Sequence, residues 1–239
     1  MSDMLKGLLK EGASAAQVEL TDEQLDKFEK YYEYLIEKNK VMNLTAITDE
    51  REVVYKHFVD SIALIPKMDL KEKKIIDVGT GAGFPGIPLA IVLDNAEFVL
   101  MDSLNKRINF LDEVTKICEL KNVSVIHARA EELGRDIQYR EKFDVCVSRA
   151  VANMSTLLEY CVPFVKVGGV FVSYKSGDIK EELVAADNAQ KQLFCKNKDV
   201  IKFSLPNTDI NRSFVVFEKK KELNKKYPRQ GGKPKKNPL

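Results

Sequence analysis

Cysteine is scarce in this chain and scattered: Cys118, Cys146, Cys161 and Cys195 include no C-x-x-C pair. That spacing signals neither a structural zinc site nor a disulfide framework, so no metal is expected and each thiol reads as a small buried hydrophobe. Long hydrophobic runs are missing too. Nothing approaches the ~18 apolar residues of a membrane-spanning helix, and the start, Met1-Ser2-Asp3-Met4-Leu5-Lys6, lacks a signal-peptide pattern. The expected location is cytoplasmic, with no membrane partner. Internal repeats and coiled-coil heptads are absent. The 239 residues, 44% hydrophobic and 31% charged, suit one large core or one core plus an appendage.

One stretch carries more information than the rest: Ile75-Ile76-Asp77-Val78-Gly79-Thr80-Gly81-Ala82-Gly83-Phe84-Pro85-Gly86. A buried apolar strand runs into a turn with four glycines in eight residues, where a flat polar ligand can lie against bare backbone. Two cofactor classes use such a loop. Gly81-Ala82-Gly83-Phe84-Pro85-Gly86 fits the dinucleotide fingerprint G-x-G-x-x-G, with Asp102 placed 19 residues after Gly83 as a ribose partner. Shifted by two residues, Asp77-x-Gly79-x-Gly81-x-Gly83 matches an S-adenosylmethionine site. A pyrophosphate is held by free N–H groups at a helix N-terminus, and Pro85 and Pro88 each remove a possible donor there. S-adenosylmethionine has no phosphate, and its ammonium and sulfonium suit a carboxylate such as Asp77. The loop thus favours methyl transfer, and a NAD-dependent oxidoreductase stays open as the alternative.

The core alternates. Strand-like runs at Lys74 to Val78, Glu97 to Met101, Val123 to His127, Phe143 to Val147 and Val170 to Tyr174 are separated by helical stretches near Ile87 to Leu93, Leu104 to Glu119 and Met154 to Pro163. This predicts an α/β fold with a parallel sheet wrapped on both faces. A longer helix is expected from Asp178 to Leu193. Val200 to Leu205 and Ser213 to Phe217, joined by Pro206-Asn207-Thr208-Asp209, predict an antiparallel hairpin at one sheet edge. Ahead of the core, Thr21-x-x-Gln24 forms a capping box, followed at helical spacing by Leu25, Phe28, Tyr32 and Leu35.

Ligands of open parallel sheets bind at the carboxyl ends of the strands. There stand Asp102, able to accept from both ribose hydroxyls or to cap the next helix, and Ala128-Arg129-Ala130-Glu131, where a small residue admits an adenine ring. After the fourth strand comes Ser148-Arg149-Ala150. The Asn/Asp-Pro-Pro-aromatic segment of adenine-N6 enzymes is missing at this place, and Cys146 and Cys161 are poorly placed as the nucleophile of a pyrimidine-C5 enzyme. Arg149 can instead hold a phosphate or carboxylate, or donate to guanine O6.

Charge is unevenly divided. From Lys219 to Leu239 nine Lys or Arg face a single acid, Glu222, a local charge of +8, which leaves 29 basic against 35 acidic residues, or −6, elsewhere. Lys225, Lys226, Arg229, Lys233 and Lys235, interspersed with Pro and Gly, read as an extended RNA-binding arm or as a solubilising tail. A non-catalytic RNA-binding protein acting through this tail is a further alternative.

Taken together, the residues resemble one family. Asn43-Leu44-Thr45, His57-Phe58-Val59-Asp60-Ser61, Asp77 to Pro88, Ser103 with Lys106-Arg107, Arg129-Ala130-Glu131, Ser148-Arg149-Ala150, Gly168-Gly169, Lys175, Tyr227-Pro228-Arg229 and Pro238-Leu239 resemble the RsmG (GidB) family. These are bacterial 16S ribosomal RNA guanine-N7 methyltransferases. The resemblance runs from about Val41 to the last residue. It implies a Rossmann-like class I methyltransferase fold, with a mostly parallel seven-stranded sheet and helices on both faces. The implied organisation is an N-terminal helical extension over 1–66, the methyltransferase domain over 67–219 and the basic tail over 220–239. S-adenosylmethionine is the implied cofactor, with Gly79 and Phe84 touching it from the glycine loop, Ala130 and Glu131 around the adenine, and Arg149 in the cofactor and substrate pocket. Asp77, Gly81 and Asp102 join these from the strand-end argument. His57, Asp60 and Ser61 match a family motif without an assigned role. The implied partner is 16S ribosomal RNA within the small subunit, met by a monomer. Guanine N7 carries a lone pair at neutral pH and needs no general base, which agrees with the lack of an obvious acid-base pair. The base must be exposed or turned out of its stack.

Overall fold

The structure, a computed structural model, describes residues 2–149 and 152–239; Ala150 of the Ser-Arg-Ala segment lies outside them. Helices α1 (Ser2–Ala15) and α2 (Asp22–Met42) come first. The capping box forms as expected: Thr21 Oγ1 accepts from the Gln24 N–H at 3.2 Å and Gln24 Oε1 from the Thr21 N–H at 3.0 Å. The buried face of α2 is Leu25, Phe28, Tyr31 and Leu35. Tyr31 takes the inward place expected for Tyr32, because its hydroxyl donates to the carbonyl of Ala82 in the glycine loop. Next is one helical rod in three parts, α3 (Glu50–Val53), a π-helical turn (Val54–Val59) and α4 (Asp60–Ile62), then a 3-10 turn (Ile65–Lys67).

The sheet follows: β1 (Lys74–Val78), α5 (Gly86–Val92), β2 (Glu97–Asp102), α6 (Asn105–Ile117), β3 (Val123–His127), α7 (Ala130–Leu133), β4 (Phe143–Arg149), α8 (Met154–Cys161) and β5 (Val165–Ser176). After α9 (Lys180–Ala185) and α10 (Asp187–Gln192) come β6 (Cys195–Ser204), β7 (Asn211–Lys219) and a last turn of helix, α11 (Lys233–Lys236). The single helix expected up to Leu193 is thus two, broken at Ala186. The seven strands lie in the order β3-β2-β1-β4-β5-β7-β6. Strands β1 to β5 are parallel, while β7 runs antiparallel between β5 and β6. The hairpin of β6 and β7 forms as expected, but its second strand inserts inward and leaves β6 at the edge.

Alternation along the central strands splits the core. Ile75, Val145 and Val147 face a layer with α1, α2, α5 and α6, whereas Ile76, Val78 and Cys146 face α8 and α10. The N-terminal helices share the first layer, where Phe28, Tyr31 and Phe58 are fully buried, each worth roughly 1.5–3 kcal/mol of transfer free energy. Strand order reverses between β1 and β4, and the crevice at their carboxyl ends is where such a sheet binds ligands.

Candidate cofactor and substrate site

The glycine loop lies over the end of β1. Gly79 has φ +73°, a conformation that costs a side-chain-bearing residue about 1–2 kcal/mol. Gly86 lies so close to β1 that a Cβ there would sit 2.2 Å from Leu100 and 2.9 Å from Asp77 Oδ2. Most N–H groups of this loop are already engaged. Those of Gly79 and Thr80 donate to Met101 O, those of Gly83 and Phe84 to Thr80 O, and that of Ile87 to Gly83 O. Gly81 N–H donates to Asp102 Oδ2 and Gly86 N–H to Asp77 Oδ2. Pro85 has no donor. A pyrophosphate would find almost nothing to hold it, which overturns the dinucleotide reading on the structure's own terms.

A cavity of about 480 Å³ opens beside the loop, floored by Val78, Gly79, Met101 and Ala128 and walled by Asp102, Ala130 and Glu131, a size and lining suited to a small cofactor. Gly79, Ala130, Glu131 and Asp102 thus line one cavity. Both Asp102 oxygens are engaged: Oδ1 accepts from the Leu104 N–H at 3.0 Å in a tight turn ahead of α6, whose first turn it does not cap, and Oδ2 accepts from Gly81 and from Arg107 at 3.0 Å. Gly81, Phe84 and Asp77 do not line the cavity. Gly81 secures the loop to Asp102. Asp77 is wholly buried beneath it, with Oδ1 lacking a partner, as does the neighbouring Thr80 Oγ1. Burial pushes the Asp77 carboxyl up to about 7. The cavity itself has room for a small cofactor and carries the acids Asp102 and Glu131 in its wall, so the residues present fit a ligand bearing positive charge such as S-adenosylmethionine.

Phe84 faces the other way. Its ring stacks on His57, centroids 4.4 Å apart, and carries the Arg149 guanidinium at 5.0 Å. Arg149 donates to Asp60 Oδ2 at 2.9 Å and to the Lys56 carbonyl at 3.1 Å. Asp60, only 2% exposed, also accepts from Arg212 Nε at 2.9 Å. The π-helical turn is the local cause: its wider winding leaves the Lys56 carbonyl to Arg149 and points His57 and Asp60 at the end of β4. Burial, reinforced by the adjacent Arg149 charge, drives the His57 pKa down to about 3, so its ring is neutral. Its Nε2 lies 2.8 Å from Thr45 Oγ1. Ser61 is buried, and its carbonyl accepts from the Tyr174 hydroxyl. His57 and Asp60, but not Ser61 or Phe84, line a second cavity of about 520 Å³ with Arg149, Arg212, Tyr174, Lys175 and Glu182. The two cavities adjoin, since the Lys175 ammonium of the second donates to the carbonyl of Ala152, which lines the first.

The basic C-terminal segment is not an extended arm. Lys219 is 1% exposed and paired with Glu141. Arg140 donates to the carbonyls of Leu223, Asn224 and Tyr227, and Arg135 to those of Lys226 and Pro228. Arg229, expected on RNA, makes a bidentate pair with Glu159 of α8, a carboxylate with no exposure. Such a buried acid requires a cation. Lys225, Lys226, Lys233 and Lys235 remain exposed. The chain returns over α8 to bring Gly232, Lys235 and Lys236 to the mouth of the first cavity. The tail's part in that cavity was not foreseen; the signal was Glu159, an acid at a core position of an apolar helix.

Among the described residues no group of His, Cys, Asp and Glu is placed to hold a metal, no helix is long and apolar enough to cross a membrane, and the four cysteines are buried and unpaired. Solved structures share the fold: a SAM-dependent methyltransferase from Aquifex aeolicus aligns with a TM-score of 0.53 at 16% identity, over 70% of this chain and 93% of that one. A SAM-dependent O-methyltransferase from Thermotoga maritima aligns at 0.52 and 14%, over 80% and 72%. The sheet order, the phosphate-averse glycine loop and the cavity beside it define a class I S-adenosylmethionine-dependent methyltransferase. Residues 24–211 match the family model for rRNA small subunit methyltransferase G. Ribosomal RNA small subunit methyltransferase G of Acetivibrio thermocellus is 52% identical over 98% of this chain and 97% of its own length. That of Lachnoclostridium phytofermentans is 52% identical over 96% and 95%. The chain belongs to this family: it is an rRNA methyltransferase that uses S-adenosylmethionine.

Proposed function

We propose that this enzyme methylates N7 of a guanine in 16S ribosomal RNA, acting as a monomer in the cytoplasm on the small ribosomal subunit. The observation that supports the reading is the junction of the two cavities, which presents a fixed cation and, with Glu182 paired to Lys175 at 2.6 Å, no free general base. His57 is held neutral with a pKa near 3, and burial keeps the Cys146 thiol protonated. Asp60 is engaged by two arginines. Asp77, whose pKa of about 7 would suit a base, is sealed under the loop and lines neither cavity.

Guanine N7 is an acceptor with no proton to lose, so a site of this kind has only to align it. S-adenosylmethionine supplies the electrophilic methyl when bound. Gly79 and Val78 would seat it, with Ala130 and Glu131 against its adenine and Asp102 toward its ribose. Arg149, locked between Phe84 and Asp60, and Arg212 offer donors toward guanine O6 and hold the turned-out base. Tyr174 contributes an apolar wall.

The test is methyl transfer from labelled S-adenosylmethionine to small subunits and to free 16S rRNA from cells lacking the gene, with the product mapped by cleavage at N7-methylguanosine. The expected result is one labelled guanine at N7. A methyl on an exocyclic amine or a ribose, or none on either substrate, overturns the reading.

A further inference from the structure

The mouth of the cofactor cavity carries more positive charge than its cofactor can use. Arg107, Arg129, Lys235 and Lys236 line it against the two acids Asp102 and Glu131. Arg107 is taken by Asp102 at 3.0 Å, whereas no ion pair among the described residues includes Arg129, Lys235 or Lys236. S-adenosylmethionine has an ammonium and a sulfonium against one carboxylate. Bound alone, it adds a net cation to a mouth that already holds three exposed ones, a repulsive arrangement. An anion laid across the mouth removes the conflict.

The two lysines are also fixed in place. Arg135 and Arg140 hold the backbone from Leu223 to Pro228. The Glu159–Arg229 pair anchors the next turn, and Thr156 Oγ1 donates to the Pro234 carbonyl at 3.0 Å, just before Lys235. A solubilising tail has no need of such anchorage. It orients α11 so that both lysines face the cavity that also contains Arg129.

We propose that Lys235, Lys236 and Arg129 bind a backbone phosphate of the RNA substrate directly over the bound cofactor, so that RNA closes the cofactor cavity and the two ligands bind cooperatively. This rests on ribosomal RNA being the substrate. The phosphate neutralises the mouth and shields the cofactor from water, and linkage requires each ligand to tighten the other by the same factor. It also sets an order of events: the cofactor enters an open cavity, RNA covers it, and the spent cofactor leaves only after the RNA lifts.

The experiment measures binding of S-adenosylmethionine by equilibrium dialysis, with and without 16S rRNA from cells lacking the gene, for the wild-type protein and for K235A/K236A. Both lysines are exposed, so folding is not at issue, and a melting curve checks it. In the wild type, RNA is expected to tighten cofactor binding roughly five- to tenfold. In the variant that factor falls toward one, cofactor alone binds at least as tightly as before, and the salt slope of RNA binding drops by about 2. K235R/K236R restores the coupling. If the variant keeps the full coupling, or weakens cofactor binding without RNA, the lysines are not a phosphate seat and the inference falls. If the wild type neither binds nor methylates the RNA, the substrate reading itself has failed, a distinct outcome.

Discussion

The two adjoining cavities are built in opposite ways. The first has its floor in backbone and apolar side chains at the ends of β1, β2 and β3, with Gly79, Asp102, Ala130 and Glu131 lying within residues 78–131 and only its mouth crossed by the distant Lys235 and Lys236. The second is made of side chains that meet only in the fold: His57 from the π-helical turn, Asp60 from the start of α4, Arg149 from β4 and Arg212 from β7. The cofactor cavity is therefore held by main-chain geometry and the second cavity by buried charge. Damage to each should show in a different measurement.

The largest effect is expected at Asp60. Removing it in Asp60→Ala leaves Arg149 and Arg212 facing each other, little exposed, without their shared carboxylate. Breaking a buried pair of this kind costs about 3–5 kcal/mol, a fall in Tm of roughly 6–20 °C for a chain of this size. Methyl transfer should be lost, while the folded fraction still binds S-adenosylmethionine, because no atom of Asp60 lines the first cavity. Asp60→Asn, which keeps the shape and one acceptor, should melt between the two. Loss of cofactor binding in parallel with transfer would show that the cavities are not separable.

The converse substitution is Gly79→Ala. At φ +73° alanine is strained by about 1–2 kcal/mol, and the strain falls on a residue that lines the cavity. Cofactor Kd should rise roughly tenfold, with the transfer rate at saturating cofactor changed far less. Calorimetry and single-turnover rates separate the two terms. A fall in rate with Kd unchanged would place Gly79 at the reacting centre and not on the floor.

This contrast also explains what could be read in the sequence. The first cavity was partly legible because strand, loop and strand-end acid follow one another: periodicity and chain order reached Asp77 and Asp102, while Gly79 and Glu131 came from the family resemblance. Even so, Asp77 and Gly81 support the loop and do not face the cavity: Asp77 points to the opposite side of the sheet from Val78 beside it, and the path of the loop that ties Gly81 to Asp102 is not set by sequence spacing. The second cavity was not legible in this way. His57 and Asp60 matched a family motif without a role, and only the π-helical turn, which leaves no sequence signature, aims Asp60 at Arg149. Composition misled about the tail, because proline, glycine and lysine describe an extended arm equally well when its carbonyls are free or when Arg135 and Arg140 hold them.

The smallest and most diagnostic effect concerns pH. Asp77 has a pKa of about 7 in the fold, raised by burial from an ordinary value of 3.8. Between those two values the native state holds a proton that the unfolded chain has lost. Stability of the cofactor-free protein from this group is therefore full below about pH 4 and declines as pH rises toward 7, where it levels off. A cationic cofactor has the opposite preference, since it gains attraction only once Asp77 has ionised. Its affinity should rise a few-fold from pH 6 to pH 8, as binding pulls the carboxyl pKa down and releases a proton. Asp77→Asn can still accept from the Gly86 N–H but cannot ionise, so it should flatten both profiles. Calorimetry in buffers of different ionisation enthalpy would detect the released proton directly at pH 7. If wild type and variant show the same slope from pH 6 to 8, the charge that recognises the cofactor lies elsewhere, on Asp102 or Glu131 in the cavity wall.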